Sequence, residues 1–268
     1  YYEESEEAFT SASQDFEKLF ASDGMDLASM PEAPMRDHGR ALRMFDSIVG
    51  GFPEYTNTDG ALYMLGFIYQ RDETLQADDF RGRDAYLALV DRYPESEFAA
   101  ASHMALGEHF FDNHQIDSAI YHYGRVVDLH APDGQHYEKG LYKLAWSHYK
   151  LSSYDRALDL LAKLLDWSED NFMRTGKRSA MAPEAVEYTA ISFSDISDRT
   201  GMDPVQVAQR FYRKIGQREY ESKVYNYAQK IYLDNKEVGK LGLISTKVLN
   251  TMKIDDCELI ACELELNY

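Results

Sequence analysis

Residues 94–110 read PESEFAAASHMALGEHF, and this stretch decides the fold. Pro94 stops one element, Ser96 is a capping residue type, and Gly107 follows the proline by 13 positions inside an apolar helical run. The same interval separates Pro53 from Gly66 and Pro132 from Ala145. Each small residue sits in a similar string: Leu65-Gly66-x-x-Tyr69, Leu106-Gly107-x-x-Phe110 and Leu144-Ala145-x-x-His148. A second small residue follows 12 positions later at Ala119 and Ala157, and 16 later at Gly82. Self-similarity at spacings of 41 and 38 residues predicts an array of stacked units. An array has no built-in catalytic centre but offers a continuous binding surface, so the first expectation is a binding protein.

Outward from this stretch the periodicity stays helical. Ala41, Leu42, Phe45, Ile48 and Val49 form the apolar stripe of an amphipathic helix before Pro53. The stripe returns as Gly82, Tyr86, Leu89 and Val90, as Ala119, Tyr123, Val126 and Val127, and as Ala157, Leu161, Leu164 and Leu165. The fold class read from this pattern is all-α. Helices are expected over 3–21, 35–50, 59–71, 80–92, 97–112, 115–129, 136–150, 153–167, 183–198, 204–216, 219–234, 237–252 and 256–266. Asp203 and Ser96 stand at N-cap positions, and Pro183 and Pro204 suit the first helical turn. The expected divisions are an N-terminal helix and loop (1–34), well-matched repeats (35–167), an inserted loop (168–182), and degenerate repeats with a terminal helix (183–268). That terminal helix is expected to present Cys257, Ile260, Ala261 and Leu264 as its apolar face.

Two antiparallel helices approach closely only where side chains are small. Gly66, Gly107 and Ala145 on first helices, with Gly82, Ala119 and Ala157 on second helices, are the expected contact points. Phe45, Tyr86, Tyr123 and Leu161 are expected to fill the space between neighbouring hairpins.

The pattern resembles the tetratricopeptide repeat, whose first helix carries Leu-Gly-x-x-Tyr and whose second carries Ala, an aromatic and Pro. The resemblance covers residues 35–167 and continues more weakly over 183–252. Tyr93-Pro94-Glu95-Ser96, with Ala99-Ala100 following, is similar to bacterial cell-envelope members such as the outer-membrane assembly lipoprotein and the Tol–Pal coordinator. The runs Leu141 to Lys150 and Ile215 to Glu221 also look like long repeat proteins of myxobacteria, including gliding-motility types. The resemblance implies an α-solenoid of about six hairpins coiled as a right-handed superhelix, acting as a non-enzymatic scaffold. It implies a protein or peptide partner, no cofactor, and a periplasmic or outer-membrane-associated location, with a cytoplasmic one as the alternative.

In that family the first helix of each hairpin lines the concave groove, at positions −6, −3, +1, +4 and +5 from the small residue. Here these positions include Tyr63 and Phe67 in one unit, Met104, Glu108 and Phe111 in the next, and Tyr142, Trp146, Tyr149 and Lys150 in the third. Aromatics with a polar handle suit a peptide-binding surface. The competing reading packs the same rings between adjacent first helices.

Composition narrows the classes further. The net charge is −18, and the first 60 residues hold 13 acidic against 4 basic side chains. Such a field repels nucleic acid and anionic lipid headgroups, and it either favours a basic partner or, the commoner case, simply keeps an extended solenoid soluble. No apolar run is long enough to span a bilayer. The chain opens Tyr1-Tyr2-Glu3-Glu4, without an initiator Met or signal-peptide core, and is expected to be a processed or trimmed fragment. Cys257 and Cys262 are two small apolar residues in a helix face on this reading.

Catalytic motifs find little support. Seven of eight histidines fall between His103 and His148, but no His-Glu-x-x-His occurs. A metal-dependent enzyme would need histidines such as His103, His109 and His148 to converge. Arg174-Thr175-Gly176-Lys177-Arg178-Ser179 lacks the upstream glycine of a phosphate loop and reads as a basic loop that contacts an acidic surface. Asp255 and Asp256 are adjacent and point apart on a helix. The remaining alternatives are a structural spacer within a longer repeat protein and a self-associating solenoid.

Overall fold

The computed structural model describes residues 1–20, 37–52, 54–71, 79–129, 136–228, 230–233, 236–243 and 260–264. The loop expected over 22–34, the Asp255–Asp256 pair and Cys257 lie outside these residues. The chain forms two compact units, Tyr1–Leu129 and His130–Tyr268. Among the described residues every regular element up to Ala228 is a helix, in keeping with the all-α reading.

The first unit holds α1 (Tyr2–Phe20), α2 (Gly39–Gly51), α3 (Thr58–Tyr69), α4 (Asp79–Arg92), α5 (Ala99–Asp112) and α6 (Ile116–Leu129). Helices α3/α4 and α5/α6 are the expected antiparallel hairpins, and successive helices from α2 onward pack on one another. The small residues act as their spacing suggests. A Cβ added to Gly82 would lie 3.2 Å from the carbonyl oxygen of Gly66, so the two backbones nearly touch. Ala119 is wholly buried at the matching place in the next hairpin.

The role expected of the large residues needs correction. Tyr86 and Tyr123 do not fill space between hairpins but lie across the glycine of their own hairpin. A Cβ on Gly66 would sit 2.6 Å from the Tyr86 ring, and one on Gly107 would sit 2.5 Å from the Tyr123 ring. Both rings are buried. Burial raises the pKa of both hydroxyls well above the ordinary tyrosine value.

Ser96 lies outside helix α5 rather than at its N-cap. Its hydroxyl accepts the Phe98 N–H at 3.1 Å and donates to Asp59 Oδ2 at 2.6 Å, tying the start of α3 to the turn before α5. In α1, Tyr2 stacks on His38 at 5.0 Å, and Glu6 Oε1 lies 2.9 Å from His38 Nε2.

The second unit begins with α7 (Tyr137–Lys150), α8 (Tyr154–Thr175), α9 (Ala182–Thr200), α10 (Pro204–Ile215) and α11 (Glu221–Ala228). In the α7/α8 hairpin the corresponding positions hold Ala145 and Leu161, both buried, where the other hairpins have Gly and Tyr. The exchange roughly conserves volume, as a packed core requires.

The loop expected over 168–182 is mostly helix. α8 runs to Thr175, where Gly176 takes the left-handed conformation at φ 76° and closes it, leaving a link of 176–181. The extension has a structural use. Ser168 Oγ accepts the Ser179 N–H at 2.9 Å, and Glu169 pairs with Arg178 at 2.9 Å and with Lys223 at 3.3 Å. Arg178 therefore serves an internal ion pair, which corrects its reading as a contact for an outside acidic surface. Asp159, Asp166 and Glu169 share one face of α8 and pair with Lys214, Arg218 and Lys223. Each exposed pair contributes little alone, but the row fixes register.

Helix α9 ends at left-handed Gly201, and Asp203 Oδ1 caps α10 through the Val205 N–H at 2.8 Å with Pro204 first in the helix. The last described segments are strands, not the expected helices: β1 (Lys230–Leu233), β2 (Lys236–Leu243) and β3 (Ile260–Leu264). They form an antiparallel sheet in the order β1-β2-β3, with Leu233 opposite Lys236 and Leu241 opposite Cys262. Gly239 and Gly242 in one eight-residue segment each weaken a helix by about 1 kcal/mol, and Cys262, placed on a helix face by its spacing, lies on a strand.

Candidate protein-binding face

In the first unit, the aromatics assigned to a groove are largely consumed by internal packing. Tyr63 stacks on Phe98 at 5.1 Å and on Phe67 at 6.1 Å, bridging α3 to the start of α5. Phe67 meets the edge of Tyr2 from α1 at 6.1 Å, and the Arg71 guanidinium lies 4.2 Å from its ring centre. Met104 is buried, 5% exposed, so it is a core residue and not a groove contact. It faces inward because the apolar stripe of α5 is wide enough to include it. Glu108 and Phe111 are half-buried on the same helix.

The second unit arranges its assigned residues differently. Tyr142, Trp146 and Tyr149 come from one side of α7 and face α9, all half-buried. The Trp146 and Tyr149 rings stack at 5.3 Å and 9°, and Tyr188 of α9 stands edge-on to both, at 4.4 and 5.6 Å. Tyr154, at the start of α8, closes the cluster 5.5 Å from Tyr149. Lys150 is exposed, and its Nζ sits 5.1 Å above the Trp146 ring, a cation on a π face.

Carboxylates frame these rings. Tyr149 Oη donates to Asp195 Oδ2 at 2.7 Å, and the Tyr142 hydroxyl is hydrogen-bonded to Glu184. Burial, then the charges of Glu184 and its neighbours, pushes the Tyr142 pKa up to about 12. Burial and the bond to Asp195 raise Tyr149 as well, and Tyr188 is raised by burial and by Glu187 and Glu184. The hydroxyls thus stay protonated at neutral pH and donate to the acids. The face combines π surfaces with negative charge, a combination suited to holding a guanidinium or ammonium group.

Glu184, Glu187, Tyr188 and Asp195 complete the candidate face and are not singled out by the sequence reading. The signal was present: counting the same −6, −3 and +5 positions from Ala190 gives Glu184, Glu187 and Asp195. The α7 rings pack against Tyr188 of α9, and all three remain half-buried rather than enclosed.

The histidines do not gather as a three-residue site. His103 Nδ1 lies 2.8 Å from His122 Nδ1 across the α5/α6 hairpin, and both are buried. Among the described residues no three of His, Cys, Asp and Glu stand where they would hold a metal ion. No helix among the described residues is long and apolar enough to cross a membrane.

Comparison with known proteins bears on this geometry. The tetratricopeptide repeat family model matches residues 60–96 and 139–166, which are the α3/α4 and α7/α8 hairpins. These two hairpins are similar to tetratricopeptide repeats. No curated protein matches the chain significantly. Among solved structures, the MamA protein is 18% identical with a TM-score of 0.44, covering 82% of this chain and 95% of its own. A crystal structure of nearly identical TPR-like repeats, described as a Podospora anserina kinesin light chain, is 12% identical with a TM-score of 0.46, covering 65% of this chain and 82% of its own.

Proposed function

We propose that the protein is a non-enzymatic adaptor whose α7–α9 face holds a partner segment carrying an arginine or lysine. The observation that carries this reading is Lys150 above Trp146, 5.1 Å from the ring, on a face whose neighbouring tyrosines meet Glu184, Glu187 and Asp195. The chain's own lysine occupies the place a partner cation would take. A net charge of −18 draws a basic segment toward this face from a distance and speeds its capture. The finer setting, a bacterial cell-envelope or motility assembly, is supported by the resemblance of the Tyr93–Ala100 and Leu141–Lys150 runs.

Charge reversal on α9 tests the reading without removing any ring. Glu184→Lys with Glu187→Lys changes one exposed and one half-buried side chain. The double variant should capture the partner from native cells at least about tenfold less well than the wild type, as expected when a charge-assisted contact becomes repulsive. Equal capture by both forms, at low and high salt, would place the partner elsewhere.

A further inference from the structure

Helices α8, α9 and α10 line a pocket of about 440 Å³ that borders the aromatic cluster only at Tyr154, through Arg199. Leu158, Ile196, Val207 and Phe211 line it with apolar surface, each itself buried. Asp155, Arg199, Arg210 and Lys214 supply its charged groups. Three cations against one carboxylate is an unusual lining in a chain with 46 acidic and 28 basic residues. Clefts of about 300–1,000 Å³ with apolar walls and a few convergent polar groups are typical small-ligand sites.

The cations are not equivalent. Lys214 is held by Asp159 at 2.7 Å. Arg199 donates to the Ser152 carbonyl at 3.3 Å and lies 5.3 Å from the Tyr154 ring. Arg210 is exposed and makes no hydrogen bond or ion pair among the described residues. The wall between α9 and α10 is fixed in advance. Left-handed Gly201 turns the chain, Ser197 Oγ donates to the Met202 carbonyl, and Thr200 Oγ1 donates to the Ile196 carbonyl at 2.7 Å.

We propose that this pocket binds a carboxylate carried on an apolar body. The apolar part fills the space against Leu158, Val207 and Phe211, and the carboxylate meets the guanidinium fork of Arg210. A monoanion fits better than a phosphate group. The N-terminus of α10 is already capped by Asp203, that of α8 carries the Asp155 carboxylate in its first turn, and α9 presents the negative end of its dipole. Asp155 adds a further repulsive charge that a dianion would meet twice over. Although Arg199 touches Tyr154 at the edge of the aromatic cluster, neither Trp146, Lys150, Glu184 nor Glu187 lines the pocket, so it is a second binding activity beside the adaptor surface.

Calorimetric titration with octanoate and with its neutral counterpart octanamide tests this directly. The wild-type protein should bind octanoate saturably and octanamide at least about tenfold more weakly, the effect of losing a charge-assisted pair. Arg210→Glu should weaken octanoate binding by at least about tenfold, and Asp155→Asn should strengthen it. The opposite directions separate a charge effect from a folding defect, because both changes are at exposed positions. Absence of saturable octanoate binding overturns the proposal, as does octanamide binding equally well or Arg210→Glu leaving affinity unchanged.

Discussion

Gly107→Ala lowers the stability of the protein by about 1–3 kcal/mol, although alanine is the better helix former. Propensity alone would give a gain of about 0.5–1 kcal/mol in a helix interior. The added Cβ falls 2.5 Å from the Tyr123 ring, which is wholly buried and has no free end to swing away. Overpacking therefore exceeds the propensity gain. Gly124 in α6 provides the control, since a Cβ there meets nothing within 4 Å. Gly124→Ala should stabilise by about 0.5–1 kcal/mol. Combining Gly107→Ala with Tyr123→Leu recreates the Ala145–Leu161 pairing of the α7/α8 hairpin and should recover part of the loss. Denaturant unfolding of these variants beside the wild type checks the set. A stabilising Gly107→Ala, or a double variant no better than the single, would mean that the glycine–tyrosine pairs do not set the hairpin spacing.

Acidification to pH 4 costs the protein a few kcal/mol through His103 and His122. Burial, and for His103 also the charges of His122 and Arg125, lowers both pKa values from 6.5 to about 4. A base with a depressed folded pKa stays neutral while the unfolded chain takes up protons. Stability is thus full above pH 6.5 and falls as pH drops from 6.5 toward 4. The slope is about 1.4 kcal/mol per pH unit for each group while only the unfolded form protonates. Geometry gives the same direction. In the neutral pair one Nδ1–H donates and the other Nδ1 accepts over 2.8 Å, and full protonation puts two N–H groups face to face. Phe110 stacks on His122 at 5.2 Å and 11°, so no water-filled space is at hand to relieve it. Glu169, with its pKa lowered by the hydrogen bond from Arg178, loses its contribution only below the ordinary carboxylate value of 4.5. Unfolding midpoints at pH 7.5, 5.5 and 4.5 isolate the histidine window. His103→Leu with His122→Phe should flatten the profile there, whereas an unchanged slope would assign the acid sensitivity to other groups.

The hairpins were legible because a local rule carries them. Helix pairs need small residues at fixed spacing, and Pro53, Pro94, Gly66, Gly107 and Ala145 state that spacing openly. The pairing of Gly107 with Tyr123 and of Ala145 with Leu161 was also on the page, each 16 residues apart, but its meaning required knowing which side of the hairpin the tyrosine enters. The two extra turns of α8 were missed because Ser168 to Thr175 is polar, yet the uninterrupted run up to Gly176 was the available sign of a helix with a glycine cap. The strands from Lys230 onward were missed because apolar residues at Ile231, Leu233, Val238 and Leu241 fit either period, and only Gly239 and Gly242 argue against a helix. The α7 half of the candidate face follows from the count around Ala145. The α9 half needed the same count carried on to Ala190. The pocket beside Arg210 joins three helices through tertiary packing, and no spacing rule anticipates it.

The adaptor reading stands or falls on what touches Trp146 and its neighbours. A photocrosslinking phenylalanine derivative placed at exposed Lys150, compared with one at exposed Asp170 on α8, reports this in native cells. The account predicts one dominant partner crosslinked from position 150, through a segment containing arginine or lysine, and lost when Glu184→Lys and Glu187→Lys are added. A partner crosslinked from position 170 and never from 150 would contradict it.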